Sequence, residues 1–135
     1  MKKKFCSCVD ILLPSPQPEQ GLVIKNKAEI ENGIIKERVT EEVRTAKNQL
    51  SILDILKKKT GLDGIIFFSV QQFLYGEHFN LKLLNTILKL GFEVHFAREN
   101  LSFYKHDKNN DKILDYIVSH DLVYRRVEED LIKLV

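Results

Sequence analysis

Residues 64–73 read GIIFFSVQQF, an apolar run that breaks at Ser69, Gln71 and Gln72. Residues 91–100, GFEVHFAREN, do the same: an apolar run carries His95 and ends at Arg98 and Glu99. Short continuous apolar runs entered through glycine read as strands buried on both faces of a parallel sheet. Between them, HFNLKLLNTILKLG (78–91) sets Leu81, Leu84, Ile87 and Leu88 at helical spacing and stops at Gly91. Strand, helix, strand is the unit from which such sheets are built.

The same alternation extends outward. KFCSCVDILL (4–13) reads as a first strand and PSPQP as a loop. EQGLVIKNKAEIENG reads as a helix with a partial stripe of Leu22, Val23, Ala28 and Ile30, stopped at Asn32-Gly33. IIKERVT (34–40) is a strand, and NQLSILDILKKKTG (48–61) is a helix that Asn48 can cap. NDKILDYIVSH and DLVYRRVEEDLIKLV predict two helices in the tail. The expectation is an α/β protein: a mostly parallel sheet of about four strands flanked by helices, with a helical C-terminal tail. Residues 1–103 form the α/β domain. Residues 104–135 form an extension that packs on it or on a partner subunit, and its apolar residues, Tyr104, Tyr116, Ile117, Leu122 and Val123, suggest a homo-oligomer.

Composition narrows the function classes. A net charge of +2, from 21 basic and 19 acidic residues, argues against a nucleic-acid partner. No apolar stretch is long enough to insert into a membrane. MKKKFCSCVDILLPSP carries Asp10, Pro14 and Pro16 and does not read as a signal peptide, so a cytoplasmic location is expected. Cys6 and Cys8 read as reduced core residues, since no CxxC or HxxxH pattern points to a metal. HDKNNDKILD has Lys112 and Val118 where a calcium loop needs glycine and glutamate. No phosphate loop or nucleotide fingerprint is present, so neither metal nor cofactor is expected.

In a parallel α/β sheet, ligands bind beyond the carboxyl ends of the strands. Gln17, Gln20, Glu42, Ser69, Gln71, His95 and Glu99 are the polar residues that this topology can gather at one edge. Gln17, Gln20, Glu42, Ser69 and Gln71 are the expected substrate-binding set. His95 and Glu99 are the candidate acid–base pair. The competing reading is a polar network that orients loops, and for His95 a satisfied core histidine. Ser7, with no base assigned beside it, reads as structural rather than nucleophilic.

LDGIIFFSVQQF, a helix, then LGFEVHFAREN resembles the catalytic-domain fold of the serine recombinases (resolvases and invertases). Over roughly residues 4–103 that resemblance implies a resolvase-like sheet. Recombination itself needs a serine nucleophile and an arginine cluster around the phosphate. Val70-Gln71-Gln72 stands where an arginine motif is expected, so the recombinase chemistry is rejected. PQPEQGLVIKN, VTEEV, LDGIIFFSVQQF and FEVHFAREN together are also similar to the sporadic carbohydrate cluster proteins of surface-polysaccharide gene clusters. That resemblance implies an accessory role in surface-carbohydrate biosynthesis, with a sugar or nucleotide sugar, or other biosynthetic proteins, as partners. It carries over no catalytic residue. The alternatives are a non-catalytic interaction or regulatory protein and a catalytically dead recombinase-like DNA-binding relic.

Overall fold

The structure is a computed structural model that describes residues 2–44, 50–58, 61–75 and 78–117. The chain divides into two compact units, Met1–Lys105 and His106–Val135. In the second, residues 110–117 are helical, and Asp107 turns the chain just before them by accepting the Asn109 N–H at 2.8 Å. Asn48, Leu122, Val123 and the helix expected over 121–135 lie outside the described residues.

The first unit holds a five-stranded sheet: β1 (Lys3–Val9), β2 (Gly33–Thr40), β3 (Gly64–Phe67), β6 (Glu93–Phe96) and β7 (Leu101–Phe103). Their spatial order is β2-β1-β3-β6-β7. The first four run parallel, and β7 returns antiparallel to β6. The expectation of about four strands thus missed β7. Only three residues long, it follows β6 through a tight turn in which Asn100 takes φ 52°. In a separate hairpin β4 (Leu74–Tyr75) pairs with β5 (His78–Phe79), and β5 occupies the start of the segment read as helix 78–91. That helix, α3 (Leu81–Lys89), begins only where Asn80 accepts the Leu83 N–H at 3.2 Å.

Burial explains the element order. β3 is buried along its whole length, as is β1 from Phe5 to Cys8, because helices cover both faces. Gly64 is required where β3 meets β6: a Cβ there would collide with the Glu93 carbonyl. Ile24 and Ala28 of α1 (Gln17–Ile30) join Phe5, Ile66, Phe68 and Ala97 beneath the helix in one cluster. On the opposite face Phe67, Phe73, Phe79, Phe96 and Phe103 pack edge to face, Phe67 and Phe73 with centroids 4.7 Å apart.

The buried stripe of α1 is Gln20, Ile24, Lys27 and Ala28, not the Leu22, Val23, Ala28 and Ile30 expected from apolar spacing. Leu22 and Ile30 are exposed. The spacing is helical, but two of the four positions are polar, and an apolar-only search passes over them. α2 (Ser51–Lys58) turns Ile52, Leu53 and Leu56 inward, and the Glu41 carboxylate accepts the Ser51 and Ile52 N–H groups at 2.8 and 3.0 Å.

β1 and β2 are out of step by one residue. Phe5 pairs with Ile35, and Cys6 with Glu37, leaving Lys36 unpaired in a bulge. After it, Ser7 faces Arg38 and Val9 faces Thr40. Bulges re-aim side chains, and this one brings Arg38 and Thr40 to the face covered by α1.

Candidate functional site

β1 lies between β2 and β3, so the chain reverses its winding direction there, the place at which sheets of this kind bind ligands beyond the strand ends. Asp10 follows β1 and is 1% exposed. The Gln20 amide clamps it from α1: Oε1 accepts the Asp10 N–H at 3.0 Å, and Nε2 donates to the Asp10 and Ser15 carbonyls at 2.9 and 2.8 Å. Gln72 does the same for the next strand end. Its Oε1 accepts the Ser69 N–H at 3.0 Å and its Nε2 donates to the Cys8 carbonyl at 3.1 Å. Both amides are fully buried, and each ties backbone that no strand partner reaches.

Ser69 and Glu99 meet across this edge. The Ser69 hydroxyl donates to Glu99 Oε2 at 2.8 Å, the Val70 N–H donates to Oε1 at 3.0 Å, and Arg98 Nε donates to Oε2 at 3.0 Å. Gln71 donates its N–H to Ser69 Oγ at 3.2 Å, and its carbonyl accepts Arg44 Nε at 3.3 Å. Arg44 also stands 3.5 Å from Asp10 Oδ2, an ion-pair distance too long and too poorly aligned for a hydrogen bond. Oδ2 is thus a buried oxygen without a hydrogen bond among the described residues.

His95 belongs to a second cluster. It is fully buried on the α1 face of β6, its ring edge-on to Phe5 at 5.2 Å. Nε2 lies 2.9 Å from Glu93 Oε1, and Nδ1 lies 2.8 Å from Ser102 Oγ. Lys27, 3% exposed, donates to Glu31 at 2.9 Å, and to Asn100 and Ser102 at 2.8 Å each. Tyr104 donates to Glu31, and Lys3 pairs with Glu93 at 2.8 Å.

A carboxylate only accepts, so Nε2 carries the proton toward Glu93. Burial lowers the His95 pKa against the opposing pull of Glu93 and Glu31, which makes the ring neutral and leaves Nδ1 to accept from Ser102. Ser102 Oγ stands at the same 2.8 Å from Glu31 Oε1, so its hydrogen is shared between the ring and the carboxylate, and Lys27 and Tyr104 also donate to Glu31. Burial pushes the Glu31 carboxyl up, but hydrogen bonds from Lys27, Ser102 and Tyr104 outweigh it and hold the pKa at about 2.

The expected set is therefore divided. Gln20, Ser69, Gln71 and Glu99 meet at the strand ends. Gln17 is exposed at the start of α1, and Glu42 is exposed after β2. The acid–base pair of His95 with Glu99 is not assembled, because both ring nitrogens are engaged by β6 and β7 neighbours. Asp10, Arg44 and Gln72 complete the edge, and the sequence reading had not assigned them to the site. Gln72 was legible from its place in SVQQF. Arg44 was not, because only the fold brings it to Asp10.

Nucleophiles are muted throughout. Burial pushes the Cys6 thiol up to about 12 and raises Cys8 as well. Ser7, in mid-strand, donates to the Glu37 carbonyl at 3.5 Å, and no base lies beside it among the described residues. No group of three metal-binding side chains occurs among the described residues. Nor is any helix among them long and apolar enough to cross a membrane.

No family model and no curated protein matches the chain. Among solved structures it is similar to a resolvase family site-specific recombinase from Streptococcus pneumoniae, with a TM-score of 0.59 and 14% identity. The match covers 98% of this chain and 94% of that one. Likeness at this identity concerns the fold: the protein has a resolvase-like α/β fold. The carbohydrate-cluster resemblance rests on its sequence pieces alone.

Proposed function

We propose that the protein is a non-catalytic binding protein built on the resolvase-like fold, recognising a partner protein at its strand-end edge. The observation that carries this reading is the loop leaving β1. Ile11 and Leu12 are 65% and 57% exposed there, where α/β proteins place their ligands. The loop is held in shape: Leu12 N–H donates to Asp10 Oδ1 at 2.9 Å, and Leu13 is buried beneath it. A cavity of about 160 Å³ lies beside Ile11 and Leu12, bordered by Asp10, Glu41 and Glu42. An apolar tip with an acidic border suits a partner with an apolar centre and a basic rim.

The same acids disfavour DNA. Asp10, Glu41, Glu42 and Glu99 outnumber Arg44 and Arg98 at this edge, and phosphates would be repelled. Phosphoryl transfer lacks its parts: Ser69 is bonded to Glu99, and each of the two arginines lies beside a carboxylate. The setting implied by the carbohydrate-cluster resemblance, surface-polysaccharide assembly with its other proteins as partners, belongs to this proposal. So does self-association through the tail.

A second reading has one observation in its favour. Asp10 Oδ2, buried and without a hydrogen bond, is an acceptor that a sugar hydroxyl would satisfy. The test is photo-crosslinking in the source cells from position 12, with position 75 on the hairpin as control. Specific adducts from position 12, lost in Ile11→Asp, are expected. Stabilisation by a nucleotide sugar that Asp10→Asn abolishes, without adducts, would replace this reading with the sugar one.

A further inference from the structure

A groove of about 740 Å³ runs between α1 and β2 along the length of the strands, from Lys2 and Gly33 at one end to Gln17 and Thr40 at the other. Val9, Ile24, Ala28 and Ile35 form its apolar floor, and the exposed Leu22 and Ile34 stand on its walls. The volume falls within the roughly 300–1,000 Å³ of small-molecule sites. Its charged rim is lopsided: Lys2, Lys25 and Arg38 against Glu29.

Two of the cations stand level with one another. Gln20 of α1 bonds Asp10 at the strand end. Lys25 is five residues further along the helix, about 7.5 Å down from that end. Arg38 pairs with Ser7. Three residues back from Asp10 puts it about 10 Å down the strand. A lysine and an arginine thus face each other from opposite walls, with the Ser7 hydroxyl on the floor between, donating to the Glu37 carbonyl at a long 3.5 Å. The bulge at Lys36 creates this arrangement, since without it Glu37 would pair with Ser7.

We infer that this groove binds an anionic amphiphile: an alkyl phosphate whose head sits between Lys25 and Arg38 over Ser7, and whose chain lies on the apolar floor. Phosphate fits because its oxygens can take a guanidinium fork, an ammonium and a hydroxyl together. A peptide adding to the outer edge of β2 would pair with its backbone, whereas this volume lies over the face of the sheet.

The test is calorimetric titration of the full chain with decyl phosphate below its micellar concentration. Inorganic phosphate and decyltrimethylammonium are the comparison ligands. Decyl phosphate should bind and the cationic amphiphile should not. Arg38→Glu and Lys25→Glu should each weaken binding at least tenfold, while Lys89→Glu, on the exposed face of α3, leaves it unchanged. Far-UV dichroism checks that each variant is folded. Leu22→Asn, a wall substitution that neither removes nor adds charge, should weaken decyl phosphate and leave any inorganic phosphate signal as it was. Equal binding of both amphiphiles, indifference to Arg38→Glu and Lys25→Glu, or no binding of decyl phosphate would overturn the assignment.

Discussion

The cluster around Lys27, Glu31 and His95 and the edge around Asp10, Ser69 and Glu99 use the same kinds of residue on the same sheet. They differ in what surrounds them. The first is roofed by α1, draws on β1, β6 and β7, and balances two lysines against two glutamates around a neutral imidazole. The second faces out past the strand ends, next to two exposed apolar side chains, and keeps one buried oxygen unsatisfied. A histidine in a strand and a glutamate just beyond it look equally functional in sequence. Only the partners separate a group that holds the sheet together from one at an open strand-end edge.

The largest effect should come from breaking the roofed cluster. Lys27→Met removes the buried cation and strands Glu31, costing about 3–5 kcal/mol as for a broken buried ion pair. Urea unfolding should show it as a lower midpoint with unchanged slope. A loss below 1 kcal/mol would mean the cluster is not the structural one.

Acid should act on the same cluster. Glu31, held at about 2 in the folded state, contributes stability that is present above the ordinary carboxylate range and lost as pH falls toward 2. Its full contribution is roughly 3 kcal/mol. The depressed His95 pKa adds a decline that begins as pH falls through 6.5, where the unfolded chain takes up a proton and the folded one does not. Glu31→Gln should flatten the acid limb of a stability–pH curve and leave the step near 6.5.

The edge should yield less. Glu99→Gln weakens the charge-assisted bonds to Ser69 and Val70 and should cost about 1–2 kcal/mol. Thermal melts of Glu99→Gln beside Lys27→Met sharpen the contrast: equal losses would erase the distinction between the clusters. Smallest of all, Leu12→Ser should change stability by no more than about 0.5 kcal/mol, as exposed positions do, while reducing severalfold the yield from a crosslinker placed instead at position 11.

Much of the fold is readable because GIIFFSV and FCSCV are continuous apolar runs, which only a two-sided sheet accommodates. β7 was missed because LSF is short and carries a serine whose partners sit elsewhere. The true face of α1 was missed because it buries Gln20 and Lys27. The edge was partly legible, since Ser69 and Glu99 both close apolar strands. The His95 cluster was not: Ser102 and Glu31 lie 71 residues apart, and no local pattern announces that contact.

The unpaired Lys36 has a consequence for how this edge strand stores information. It works as a parity bit. Counted with the extra residue, the strand offers Arg38 and Thr40 to the groove; counted without the offset, the same sequence would offer Glu37 and Val39. The groove's positive charge is thus written in a residue count as well as in residue identity. Losing Lys36 itself would leave that charge intact, whereas a slip by one position would cancel it with no substitution at all.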